Sequence, residues 1–350
     1  MNLLRALCAA SLSIGITACG GERPAQNAKT ADTTAAAPAL TGELAYVTNE
    51  DGQTLSVLRI SDDSVIATIP VGTRPRGVRV SPDGRMVYVA LSGSPKCPPT
   101  MPDSECDKLK VDHSLDGVAQ VDPAAGKVIR VLPGGTDPEA FAVSNDGAMI
   151  YAANEDAGKA TLVRVDSGTV VAQVPVGAEP EGVRVSPDGK TVWVTSETGN
   201  MVTVLDAQTG RQLHQIKVGK RPRDLGFTPD GKRAFVGAEV GGVVTVVDVP
   251  SARVIKTITM PEGSRPMGVV VAPNGERVYV SNGRGGTVTA IDAAADTIIG
   301  SVKVGARPWG IALTSDGSKL YTANGPDNDV TVVDAKTLQV LRRVPVGKMP

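Results

Sequence analysis

Histidine, aromatic residues and an excess of either charge are scarce in this 350-residue chain. Its two histidines, His113 and His214, are too few for a metal site built on several His ligands or for a set of His general bases. The chain has 36 basic and 37 acidic residues, so no basic excess is available to bind nucleic acid. It also contains no G-x-S-x-G motif, no nucleotide-binding loop and no C-x-x-C-H haem motif. We therefore expect no cofactor, no resident metal and no nucleic-acid partner.

The N-terminus predicts an export signal. Arg5 precedes an apolar stretch, Ala6 to Ile16, which is too short to span a bilayer. The sequence that follows, Ile16-Thr17-Ala18-Cys19-Gly20, is similar to a bacterial lipobox. We expect a signal peptide at 1–18, lipidation of Cys19 and a disordered tether at 19–34. The protein would then be lipid-anchored in the cell envelope, at the outer membrane facing the periplasm; the alternative is an ordinary cleaved signal peptide.

Cysteine use agrees with an oxidising compartment. Cys8 would leave with the signal peptide and Cys19 would carry lipid, so Cys97 and Cys106 remain. Two cysteines nine positions apart in a Pro-rich loop predict a disulfide in the periplasm, and two free thiols are the alternative.

Residues 35–350 repeat one unit. A proline tripeptide begins at Pro75, Pro138, Pro180, Pro222, Pro266 and Pro308, at spacings of 63, 42, 42, 44 and 42. Seven aromatic residues follow the same period: Tyr46, Tyr88, Tyr151, Trp193, Phe235, Tyr279 and Tyr321. A period near 42 with several short strands per unit is typical of a β-propeller blade.

Each unit predicts four strands, A to D, joined by turns. In one unit strand A is followed by the turn Ser186–Gly189, and strands B, C and D begin near Thr191, Met201 and Gln212. A recurring aspartate predicts a side-chain cap at the C–D turn, at Asp122, Asp206, Asp248, Asp292 and Asp334.

These units resemble the YVTN-repeat β-propeller family. Tyr46-Val47-Thr48-Asn49 matches its defining tetrapeptide, and Ile69–Gly72 and Val330–Asp334 fit its consensus. Asp137 to Asp334 is similar to the subgroup associated with PQQ-dependent catabolism. The resemblance implies an all-β fold, a seven-bladed β-propeller of four-stranded antiparallel blades, and it leaves function open.

The first blade needs an inner strand. Family members commonly take that strand from the C-terminus, and this chain stops at Pro350, where the strand should begin. Ala35–Ala39 could supply a degenerate strand instead. The alternatives are that the slot is empty or that the sequence is truncated.

Charged residues flank the repeated proline, in the D–A loops. Because loops alternate between the two faces of an antiparallel blade, these residues should ring one channel mouth together with the B–C loops. The predicted binding rim is Arg74, Arg76, Glu139, Glu179, Glu181, Arg221, Arg223, Arg265, Arg307 and Trp309. An insertion at about 92–113 should lie over the same face.

Three interpretations of this rim remain. Arg76 with Glu139, and Arg223 with Glu181, could pair only to hold neighbouring blades in register. The rim could bind a ligand. Asp137, Glu139, Glu179 and Glu181 could also bind calcium.

The leading functional hypothesis is a non-enzymatic, monomeric binding propeller that holds a protein or an anionic small molecule on this rim. A propeller lactonase-type hydrolase is the alternative, with His113 or a rim carboxylate as base. A third is an accessory protein of a PQQ-dependent dehydrogenase system.

Overall fold

The computed structural model describes residues 40–96, 101, 105 and 108–350. They form seven β-sheets, so the prediction of an all-β, seven-bladed propeller is confirmed. Cys19, Cys97, Cys106 and Ala35–Ala39 lie outside the described residues, and the lipidation, the disulfide and the degenerate strand stay predictions. Within the described ranges, no helix has the length and apolar character needed to cross a membrane.

The strands follow one another blade by blade along the chain. Blade 1 has β1 (Leu44–Asn49), β2 (Thr54–Arg59) and β3 (Ser64–Pro70). Blade 2 has β4 (Val78–Val80), β5 (Val87–Leu91), β6 (Gly117–Asp122) and β7 (Lys127–Leu132). Blade 3 has β8 (Pro138–Val143), β9 (Met149–Asn154), β10 (Lys159–Arg164) and β11 (Val170–Pro175). Blade 4 has β12 (Pro180–Val185), β13 (Thr191–Ser196), β14 (Met201–Asp206) and β15 (Gln212–Lys217).

The remaining three blades keep the same order. Blade 5 has β16 (Pro222–Phe227), β17 (Arg233–Ala238), β18 (Val243–Asp248) and β19 (Arg253–Thr259). Blade 6 has β20 (Pro266–Val271), β21 (Arg277–Asn282), β22 (Thr287–Asp292) and β23 (Thr297–Lys303). Blade 7 has β24 (Pro308–Leu313), β25 (Lys319–Asn324), β26 (Asp329–Asp334) and β27 (Val340–Pro345). Two 3₁₀ turns interrupt the strands, His113–Leu115 and Gly325–Asp327.

Apolar cores lie between neighbouring blades. Strands B and C are buried on both faces, as in β13 and β14, whereas the outer strand β15 is mostly exposed, with Leu213 half-buried and Ile216 buried. Tyr151 and Leu162 of blade 3, for example, share one cluster with Val192 and Leu205 of blade 4. Burial on both faces explains why these strands read as nearly continuous runs of β-branched residues.

The turns form as their residues predict. In the A–B turn of blade 4, Gly189 N donates to Ser186 O (2.8 Å) and has a φ of 73°. At the C–D turn, Asp206 Oδ1 accepts from the backbone N of Thr209 (2.8 Å). The same aspartate position caps the turn in Asp122, Asp248, Asp292 and Asp334, so that interpretation is confirmed.

Blade 1 differs from the other six. Its sheet has three strands among the described residues, in the order β1-β2-β3, and β1 therefore has one edge with no neighbouring strand there. Every other blade has four strands, with strand A innermost.

Candidate binding face

The D–A and B–C loops lie on one face, as predicted. The residue before each repeated proline adopts a left-handed backbone conformation, with φ between 43° and 58°, in Arg74, Asp137, Glu179, Arg221, Arg265, Arg307 and Met349. This bend aims the carbonyl group at the B–C loop beside it. Arg221 O accepts from Glu239 N (2.8 Å), and Arg265 O accepts from Gly283 N (2.9 Å).

A first charge cluster surrounds Arg76, at the entry to blade 2. Its guanidinium group binds Glu139 of blade 3, and Nη1 lies 3.2 Å from Glu155 Oε2 and 3.5 Å from Asp137 Oδ1. The Arg76 side chain is 13% exposed. Three carboxylates therefore surround one cation.

A second cluster surrounds Arg223, at the entry to blade 5. Arg223 binds Glu181 and Glu197 of blade 4, and its Nη2 lies 2.9 Å from Glu239 Oε2. Arg221 also binds Glu197. The Arg223 side chain is 11% exposed, so its charge depends on these carboxylates for compensation.

Two carboxyl groups of this second cluster share a hydrogen bond. Burial, with the hydrogen bond and the charge of Glu181, raises the pKa of Glu197 to about 8. Burial acts in the same direction on Glu181, but the charge of Arg223 and the hydrogen bond with Glu197 hold its pKa below the usual range. The pair therefore keeps one proton at neutral pH.

A third set joins blade 1 to the insertion. Arg74 Nε lies 2.9 Å from Glu50 Oε1, and Lys96 Nζ lies 2.8 Å from Glu50 Oε2. The insertion also contributes Ser92, whose hydroxyl donates to Asp137. The described part of the insertion thus lies on the predicted face.

The rim arginines in the loops of blades 6 and 7 differ from those of the other blades. Arg265, Arg284 and Arg307 have no carboxylate within ion-pair distance among the described residues; we call these three residues with Trp309 the basic arc. The Arg307 guanidinium carbon lies 5.2 Å from the centroid of the Trp309 ring. A Cβ atom on Gly283, the neighbour of Arg284, would lie 3.5 Å from Trp309 Cδ1. Trp309 is 40% exposed.

A cavity of about 470 Å³ reaches Trp309 of the basic arc. Glu139, Glu181 and Arg76 also line it. The cavity continues along the free edge of β1.

The structure thus divides the predicted rim into two parts. Arg74, Arg76, Glu139, Glu181, Arg221 and Arg223 are paired, mostly between blades, as the register interpretation expected. Arg265, Arg307 and Trp309 are exposed or half-buried and carry no ion pair in the described chain, and Glu179 likewise has none there. No cluster of His, Cys, Asp or Glu in the described ranges has the arrangement of a metal site.

Glu239 is the main residue that the sequence analysis missed. Its position, 42 residues after Glu197 in the next B–C loop, is the signal that could have identified it. Three asparagines next to these loops are fully buried: Asn49, Asn282 and Asn324. They hydrogen-bond within their own B–C hairpins; for example, Asn282 Nδ2 donates to Thr289 Oγ1 (2.9 Å).

The fold defines the protein as a seven-bladed β-propeller. A family model described as YNCE-like beta-propeller matches residues 114–229. The match and the seven blades bear out the resemblance to YVTN-repeat propellers. A comparison with curated proteins finds no match.

Solved structures similar to this chain share its fold at low identity. Kuenenia stuttgartiensis hydrazine synthase is 23% identical, with a TM-score of 0.67, over 79% of this chain and 88% of that one. A functionally unknown protein from Desulfotomaculum acetoxidans is 16% identical, with a TM-score of 0.71, over 88% and 98%. A proposed 6-phosphogluconolactonase from Bacteroides fragilis is 18% identical, with a TM-score of 0.70, over 87% and 95%.

Proposed function

We propose that this protein is a binding propeller whose basic arc holds an anionic group, a carboxylate or phosphate, of a small molecule or partner protein. One observation carries the proposal. The arginines of the Arg76 and Arg223 clusters are neutralised by carboxylates, whereas Arg265, Arg284 and Arg307 have no such partner among the described residues.

The charge distribution supports the same site. The Arg76 and Arg223 clusters contain six carboxyl groups against three guanidinium groups. The basic arc contains three cations, and the carboxylates of Asp327 and Asp329 in blade 7 are paired with Arg343. An anion approaching this face is attracted to blades 6 and 7 and repelled from blades 3 to 5. Arginine forks bind carboxylate and phosphate through two parallel hydrogen bonds, and the exposed indole adds an apolar contact.

A charge-reversal experiment tests the proposal. Thermal shift with a panel of di- and tricarboxylates and phosphorylated sugars, and pull-down from a cell-envelope extract, should each identify a bound species. Arg265→Glu with Arg307→Glu should abolish that binding, while Lys190→Glu with Lys232→Glu, on the A–B turn face, should leave it unchanged. Circular dichroism verifies the fold of both. Equal loss in the two double variants would contradict the basic arc as the site.

The Glu181–Glu197 pair favours a second candidate function, a hydrolase of lactone substrates. A carboxyl group whose pKa is about 8 can donate or accept a proton near neutral pH. Structural neighbours described as proposed 6-phosphogluconolactonases share the fold at 18% identity, which shows the fold alone. Turnover of a lactone panel that Glu181→Gln or Glu197→Gln abolishes would favour the enzyme; absence of turnover leaves the binding propeller.

Membrane anchoring belongs to the proposal as well. If Cys19 is lipidated, Cys19→Ala should move the protein from the membrane fraction to the soluble periplasmic fraction. Unchanged fractionation of that variant would contradict the anchor.

A further inference from the structure

A second cavity, of about 330 Å³, lies where the inner strands of blades 2, 3 and 4 end at their A–B turns. It is therefore at the opposite face from the basic arc. Its lining includes Arg79 of β4, Ala142 of β8 and Arg184 of β12. Both arginines are half-buried. Burial of a guanidinium group costs free energy unless hydrogen-bond acceptors or an anion compensate its charge.

The charge of Arg184 is compensated by the next blade. Its Nε donates to Leu225 O (3.0 Å), and its Nη2 lies 2.6 Å from Asp224 Oδ2. Asp224 is held in turn by Val269 N, which donates to the same oxygen (3.2 Å). One edge of this guanidinium group, Nε with Nη2, therefore binds a carbonyl group and a carboxylate of blade 5.

Arg79 has the same position in blade 2 that Arg184 has in blade 4. The two residues are 105 positions apart, one repeat of 63 and one of 42 residues. The position of Asp224 is taken by Ala140, which lies 84 positions, two repeats of 42, before it. Alanine therefore stands where the carboxylate would be.

The packing of the inner strands agrees with this equivalence. In blade 4 a Cβ on Gly182 would lie 2.8 Å from Asp224 Cα, and in blade 2 a Cβ on Gly77 would lie 3.1 Å from Ala140 Cα. Neighbouring inner strands thus approach each other in the same register at both places, and the acidic side chain is missing from the second.

The guanidinium group of Arg79 has an open edge. Its Nη1 donates to Val78 O (2.8 Å). Its Nε and Nη2, the two donors that Arg184 uses, have no acceptor and no carboxylate within ion-pair distance among the described residues. These two donors form the edge through which arginine binds a carboxylate by two parallel hydrogen bonds. Arg79 lines both cavities and Ala140 lines the larger one, so both residues border the channel.

We propose that Arg79 binds the carboxylate group of a small molecule in the channel, and holds it through Nε and Nη2 in the place that Asp224 fills beside Arg184. The body of the molecule extends into the second cavity, which Val143 and Val185 also line. An aliphatic carboxylate therefore fits better than a sugar phosphate, because its chain buries apolar surface there.

Nuclear magnetic resonance of the Arg79 Nε–H group tests the proposal on the full chain. Sodium butyrate replaces sodium chloride stepwise at constant ionic strength, so charge screening does not change. We expect the Arg79 signal, assigned with Arg79→Gln, to shift saturably. Sodium acetate should need an about tenfold higher concentration, because its chain is two methylene groups shorter. Butyramide, which has no charge, should cause no shift, and the Nε–H signal of Arg184 should move far less because Leu225 O already accepts from it.

Matched variants locate the site. Ala140→Asp should fill it from within, because this change places a carboxylate where blade 5 has one, and butyrate should then no longer shift the Arg79 signal. Arg85→Gln is the control: Arg85 is an exposed arginine in the A–B turn of the same blade, and its loss should leave the titration unchanged. Arg265→Glu with Arg307→Glu should also leave it unchanged, which separates this inference from the proposed function.

Thermal melting gives a second measurement that does not depend on Ala140→Asp. In the protein with Arg265→Glu and Arg307→Glu, butyrate should raise the melting temperature relative to chloride, and the further change Arg79→Gln should abolish that rise. The proposal would be overturned by an Arg79 signal that does not shift saturably, by an equal shift with butyramide, or by an equal rise in melting temperature after Arg79→Gln.

Discussion

Lys319 Nζ lies 3.0 Å from Asp63 Oδ1 and joins blade 7 to blade 1. The Tyr321 hydroxyl also donates to Asp63, and Lys319 donates to Ile60 O (3.0 Å). In propellers closed by a shared blade, strands from both ends of the chain pair in one sheet. Here, within the described residues, the sheets of blades 7 and 1 each contain only consecutive strands. Side-chain contacts, the apolar cluster around Leu58 and Tyr321 and the backbone hydrogen bond from Glu50 N to Met349 O (2.8 Å) join the two blades there.

Removing Asp63 should weaken the junction. Asp63→Ala leaves the Tyr321 hydroxyl and Lys319 without their buried acceptor, so we expect a loss of about 1–3 kcal/mol in the free energy of unfolding. Asp62→Ala is the matched control, because Asp62 is exposed and pairs with the neighbouring Arg59. Urea denaturation followed by circular dichroism measures both. An equal midpoint for Asp63→Ala and the wild type would show that the apolar cluster alone closes the ring.

Arg223 follows a repeated proline on the rim, and Arg307 precedes one. Truncation of each to alanine should change the stability of the protein differently. Arg223→Ala leaves Glu181, Glu197 and Glu239 close together without their shared cation, which should cost about 3 kcal/mol or more. Arg307→Ala removes a cation that has no carboxylate partner in the described chain and should change stability little. Thermal melting measures both variants. Similar melting temperatures would contradict the division of the rim into a structural and a binding part.

The period of the sequence predicts the fold well because every blade repeats the same turns and the same packing. Proline, Asp-Gly turns and a central aromatic residue recur at one spacing, and each blade buries the same faces. The sequence offers the pairs Arg76–Glu139 and Arg223–Glu181 as one interpretation, and both form. It could not decide between pairing and ligand binding at each position, because that depends on the distance between loops of different blades. Arg76 and Arg265 occupy similar loops, yet only Arg76 meets carboxylates. The sequence places both residues on the same face of the propeller, but it does not show which of the two lacks an ion pair.

Stability should fall as pH rises from about 4.5 to about 8. The pKa of Glu197 is raised from 4.5 to about 8 in the folded protein, so the folded state holds a proton that the unfolded state has released in this window. The stabilisation is complete below pH 4.5 and is lost as pH rises through the folded pKa. Glu197→Gln cannot titrate and should flatten the decline. Denaturant titrations at several pH values measure the slope, and equal slopes for variant and wild type would contradict the assignment.

A second titration should report how the insertion is held. His113 Nδ1 lies 2.7 Å from Asp116 Oδ2, and this hydrogen bond raises the pKa of His113 above 6.5. Asp116 also accepts from Gly93 N (2.7 Å) and Asp137 N (3.0 Å), so it links the insertion to the rim.

Because the folded pKa of His113 is raised, the stabilisation from its charged form is present below pH 6.5 and is lost as pH rises through the folded value. Nuclear magnetic resonance of the imidazole Cε1–H proton, assigned with His113→Gln, should give a midpoint above 6.5. Asp116→Asn should move the midpoint back toward 6.5, because the amide carries no charge to favour imidazolium. Exchange of the Gly93 amide hydrogen should quicken in the wild type as His113 loses its proton, beyond the ordinary pH dependence seen in His113→Gln. A midpoint at or below 6.5 would mean that Asp116 holds the loop without holding the histidine.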